Sequence, residues 1–75
     1  MEYKIERNFD EVTVWNEAAA VGIRFYEGET MQLYQYAIVF PPGKRLQARD
    51  LERIQRVSKE ILDYCRETWP HEFAP

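Results

Sequence analysis

A single cysteine, Cys65, and a single histidine, His71, are all the thiol and imidazole in this 75-residue chain. One cysteine excludes an intramolecular disulfide, and the two residues together fall short of a closed zinc set. Such usage suits a reducing, cytoplasm-like compartment. Long apolar runs are missing too. The longest, Ala37 to Pro42, is far below the roughly 20 residues of a membrane-spanning helix. The first residues, Met-Glu-Tyr-Lys-Ile-Glu, lack the basic start and apolar run of a secretory leader. The expectation is a soluble, cytoplasmic protein without membrane attachment.

Glycine is scarce, and Gly22, Gly28 and Gly43 form no phosphate-cradling loop. Pro42-Gly43-Lys44 lacks both the preceding glycine and the following Ser/Thr of a P-loop. Covalent catalysis needs a nucleophile with a base beside it. Cys65 falls on an apolar helix face as a small core residue, His71 lies beyond Pro70 in a tail, and no two carboxylates are fixed on one element by their spacing. No enzymatic activity, cofactor or resident metal is expected.

A chain-wide cationic excess is also absent, since the formal net charge is −3. The distribution is uneven, however. Residues 1–43 carry three Lys/Arg against seven Asp/Glu, residues 44–59 six against two, and residues 60–75 one against four. A basic block inside an acidic chain can meet phosphate or an acidic partner, or simply form a solvated helix face.

What is present is alternation. Tyr3 and Ile5, then Val12 and Val14, alternate with polar residues around the turn Asn8-Phe9-Asp10-Glu11 and predict a hairpin. Val21, Ile23 and Phe25 restore the pattern after an ambiguous Ala18-Ala19-Ala20 run. In Thr30–Phe40 both faces are apolar: Met31, Leu33, Ala37 and Val39 on one side, Tyr34, Tyr36, Ile38 and Phe40 on the other. A three-residue turn at Tyr26-Glu27-Gly28, needing positive φ only at Gly28, pairs Ile23 with Met31 and Val21 with Leu33. That register puts Arg24, Tyr26, Tyr34 and Tyr36 together on one face, and the aliphatic residues on the other.

From about Ala48 the period changes to 3.6. Leu51, Ile54, Val57, Ser58, Ile61, Leu62, Cys65 and Trp69 share one face of a helix that Pro70 ends. The predicted fold is therefore α+β, an antiparallel β-meander of three to four strands followed by one C-terminal helix packed on one face of the sheet. It forms one domain, with strands at about 2–7, 11–16, 19–26 and 30–40, a helix at about 48–68, and a tail at 69–75 whose Trp69 completes the core with Phe73 folded onto it. A chain this short buries only about 60% of its unfolded surface, which makes homodimerisation one route to further burial.

Binding remains as the expected function. In the first reading, an adaptor or inhibitor type of module docks a protein partner through Arg24, Tyr26, Tyr34 and Tyr36 or through an open sheet edge. In the alternative, the same aromatic face stacks single-stranded nucleic acid while Lys44, Arg45, Arg49 and Arg53 contact phosphate or an acidic partner. Val21-Gly-Ile-Arg-Phe-Tyr26 in the sheet and Gly43-Lys-Arg-Leu46 before the helix resemble the positive-cofactor transcriptional coactivators. The chain departs from that family where it would have a longer basic, glycine-containing approach to the helix. The resemblance implies single-stranded DNA on a curved sheet and dimerisation through helices.

Overall fold

The alternating segments form four antiparallel strands in a computed structural model, which describes residues 2–26, 35–43 and 45–73. They are β1 (Lys4–Arg7), β2 (Glu11–Asn16), β3 (Val21–Tyr26) and β4 (Gln35–Val39), joined as a meander in the order β1-β2-β3-β4. A single 3₁₀ turn, Ala48–Asp50, leads into α1 (Leu51–Thr68), and a one-turn helix α2 (Pro70–Phe73) follows. The α+β architecture, with a C-terminal helix against the sheet, is the one expected from the change of period.

The core is assembled from two apolar surfaces. Val12, Val14, Val21, Ile23 and Phe25 from the sheet meet Ile54, Val57, Ile61 and Cys65 from α1. Burying each large aliphatic or aromatic side chain contributes about 1.5–3 kcal/mol. At the β1 side an aromatic cluster closes the core: the Tyr3 and Tyr64 rings are 4.5 Å apart, Trp69 stands edge-on to Tyr64, and the Arg7 guanidinium lies 5.8 Å from the Trp69 ring centre. Trp69 thus packs against the core as its place on the apolar stripe predicts. Leu51, the first residue of α1, belongs to the same stripe but is 58% exposed, and burial begins at Ile54. The Phe73 side chain lies outside what is described.

Two local expectations need correction. The three alanines do not extend β3; they form the β2–β3 turn. The Asn16 side-chain carbonyl accepts the Ala19 N–H at 3.1 Å, and Ala20 takes a left-handed φ of 57°. An Asx-type bond of this kind diverts backbone from helix or strand into a turn.

The second correction concerns register. β3 pairs with β4 as Ile23↔Ile38, Arg24↔Ala37 and Phe25↔Tyr36, not as Ile23 with Met31. Met31 and Leu33 fall outside the described residues. Among the described residues the pairing runs as far as Tyr26↔Gln35, a register that a three-residue turn at Tyr26-Glu27-Gly28 does not give. A shift by an odd number of residues moves every β4 side chain to the other face. Tyr36, Ile38 and Phe40 therefore share the helix side with Ile23 and Phe25, and Phe40 packs against the core. Ala37 and Val39 join Gly22 and Arg24 on the opposite face. What the observed register buries is Phe40, which packs against the core on the helix side, while Tyr36 and Ile38 remain 51% and 41% exposed.

Candidate binding surface

α1 covers the sheet on one side only, and among the described residues no element packs on the other. That bare face is built from three neighbouring rows across the strands, which run Lys4–Trp15–Gly22–Val39, Glu6–Thr13–Arg24–Ala37, and Glu11–Tyr26.

Trp15 is held in place by the absence of a side chain. An ideal Cβ on Gly22 would stand 2.5–2.9 Å from three indole carbons, so the ring lies directly on the Gly22 backbone. The Gly22 φ is not left-handed, so space and not backbone conformation requires glycine there. Beside this ring Lys4 is fixed by Glu6 at 3.4 Å and Glu17 at 3.6 Å. The hydrogen bond to Glu6, then the Glu17 charge, raise the Lys4 pKa. Pro41 and Pro42 complete a depression of about 180 Å³ against Trp15.

Arg24 sits at the centre of the face, with its Nε 3.2 Å from Thr13 Oγ1 and 3.3 Å from Glu11 Oε2. Thr13 is almost fully buried beneath it. Tyr26, next on the same face of β3, is 40% exposed. A tryptophan, an arginine and a tyrosine thus follow one another across the face opposite α1. Around them stand three carboxylates, Glu6, Glu11 and Glu17, against two cations that these same carboxylates already pair.

Of the residues expected to form one site, Arg24 and Tyr26 come together here. Tyr36 does not: it lies on the helix side, 51% exposed, with its ring 6.1 Å from that of Phe25. Tyr34 and Lys44 fall outside the described residues. Arg45 and Arg49 are exposed in the approach to α1. Arg53 is occupied structurally, since its guanidinium donates to the Ala19 carbonyl and pairs with Asp50 at 3.5 Å, tying the start of α1 to the β2–β3 turn. Arg49 and Arg53 belong to the helical layer, across the sheet from the bare face. Trp15 was not among the expected contacts, although a glycine inside an alternating strand signals a close approach of this kind.

Cys65 is fully buried, and burial pushes its thiol up to about 11 from 9.0. It is therefore protonated and shielded at neutral pH, unlike the low-pKa thiolates of catalytic cysteines. Among the described residues no three of His, Cys, Asp and Glu cluster as metal ligands would, and no helix is long and apolar enough to cross a membrane. Comparison with protein-family models, with curated proteins and with solved structures finds no match to this chain.

Proposed function

We propose that this chain is a small, non-enzymatic protein-binding module, of adaptor or inhibitor type, that docks its partner on the bare sheet face through Trp15, Arg24 and Tyr26. The observation that carries the reading is the co-location of those three side chains on a sheet face that no element covers among the described residues. Trp, Tyr and Arg are the residue types that most often dominate binding energy at protein interfaces, and they do so when aligned near the centre of a patch. Two of the three are already oriented before any partner arrives: Trp15 rests on Gly22, and Arg24 is held by Thr13 and Glu11. Preorganisation lowers the entropy lost on association.

With three carboxylates against two cations the face carries a slight negative excess, which favours a partner surface that is apolar at its centre and basic at its rim. A nucleic-acid partner fits less well. Phosphate recognition needs unneutralised cations, whereas Arg24 and Lys4 are paired with carboxylates, and Arg49 and Arg53 stand on the helical layer.

The test is comparative affinity capture with the wild-type chain and a Trp15→Ala/Tyr26→Ala variant whose circular dichroism remains folded. Proteins retained only by the wild type are then purified and titrated by calorimetry. Loss of two such anchors should weaken the titrated complex by about 3 kcal/mol or more, roughly a hundredfold. Equal affinity for both forms would refute the assignment. So would saturable, salt-sensitive binding of a mixed-sequence single-stranded oligonucleotide that requires Tyr26.

A further inference from the structure

The two edges of the sheet are treated very differently by the sequence. β1, at one edge, reads Lys-Ile-Glu-Arg, so three of its four side chains carry charge, which discourages edge-to-edge pairing. β4, at the other, reads Gln-Tyr-Ala-Ile-Val, and the chain has no charged residue anywhere from Thr30 to Gly43. Among the described residues nothing pairs with the outer edge of β4. On the helix side of that edge, Tyr36 is 51% and Ile38 41% exposed, because α1 packs over β2 and β3 and stops short of β4. An uncharged, apolar, unprotected edge is a template for another strand.

We infer that this edge is occupied by a second copy of the chain, with the two β4 strands paired antiparallel about a twofold axis through Ala37 to give a continuous eight-stranded sheet. Three observations select a second copy. The pairing is self-complementary: with Ala37 opposite Ala37, each Tyr36 faces the other copy's Ile38, twice, as an isologous interface requires. Aromatic–aliphatic neighbours across strands are favourable pairs. The seam is also a charge-free stretch through which two chains, each of net charge −3, can meet without repulsion. Finally, alanine at the axis leaves room on the opposite side of the sheet, where both bare faces would continue into one another. The dimer would then present two copies of the Trp15–Arg24–Tyr26 surface on the same side, a bivalent arrangement. The pairing itself does not depend on what those surfaces bind.

Sedimentation equilibrium of the full chain, from micromolar to sub-millimolar concentration, should find a dimer. Ile38→Lys and Tyr36→Glu, each confirmed folded by circular dichroism, should each weaken it by about tenfold or more, the scale of lost cross-strand pairs and a misplaced charge. An equimolar mixture of the two variants should dimerise again, because the proposed register sets the introduced lysine opposite the introduced glutamate. Ala37→Cys, too small a change to threaten the fold, should oxidise to a covalent dimer, since directly opposed strand residues lie within disulfide range and Cys65 is buried. The Trp15→Ala/Tyr26→Ala variant should remain dimeric. A wild type that is monomeric throughout, a dimer indifferent to all three substitutions, or a dimer lost only with Trp15 and Tyr26 would each overturn the inference.

Discussion

Gly22→Ala would place a methyl group where the Trp15 indole now lies. The three nearest ring carbons would be 2.5, 2.8 and 2.9 Å away, closer than real Cβ contacts come, so the ring must move. The indole is rigid and cannot yield by a small rotation, but among the described residues no layer covers the bare face, so it can swing outward. The expected cost is that of overpacking followed by lost ring contact, about 2 kcal/mol. For a domain of this size that lowers Tm by roughly 8–16 °C in a thermal melt followed by circular dichroism. In a Trp15→Ala background the same substitution meets no ring. It should then be neutral or stabilise by about 0.5 kcal/mol, because alanine restricts the unfolded chain more than glycine does. The double-mutant cycle should therefore show a coupling of about 2 kcal/mol. Equal destabilisation with and without Trp15 would refute the close approach on which the bare-face geometry rests.

The remaining predictions concern the turn, the tie and the buried thiol. Ala20→Gly should stabilise the protein by about 0.5–1 kcal/mol in urea unfolding, since it relieves a left-handed φ of 57° at the cost of some unfolded-state entropy. Arg53→Ala should destabilise by about 1–2 kcal/mol through loss of the bond to the Ala19 carbonyl, with the partly exposed Asp50 pair adding little. Because the folded Cys65 pKa lies above its unfolded value, the thiol's contribution is fully present below about pH 9 and is lost as pH rises toward 11. Cys65→Ala should be less stable at neutral pH but show a flatter stability curve across that window. A thiol reagent at neutral pH should label the wild type only after denaturant is added.

The elements were largely legible in the chain, while the pairing that places the site was not. α1 announces itself because Ile54, Val57, Ile61 and Cys65 recur on one face and Pro70 stops the run. The first hairpin is equally plain, because Val12 and Val14 alternate with polar neighbours around Asn8–Glu11. β4 gives no such signal, since it is apolar on both sides and either register buries something. Its face is set by how many residues separate Tyr26 from Gln35, which periodicity cannot count. One consequence is that alternation alone groups Tyr36 with Arg24 and Tyr26, although it stands across the sheet from them. The charge pattern similarly offers Arg53 to phosphate or an acidic partner, because it carries no sign that the carbonyl of Ala19, distant in sequence, claims it. The clue that was present, Gly22 in the middle of β3, concerned Trp15, and it became interpretable only once Trp15↔Gly22 was known to be a cross-strand pair.

The most direct test of the account is to map the partner's footprint. Nitrogen–proton correlation spectra of the labelled chain, recorded while the purified partner is added, report each backbone amide, the Trp15 indole and the Arg24 Nε separately. Perturbations should concentrate at Trp15, Gly22, Arg24 and Tyr26, with the outer face of α1 unaffected. Perturbations centred on Arg49, Arg56 and Lys59 instead, with the Trp15 indole unmoved, would contradict it and move the binding surface to the helical layer.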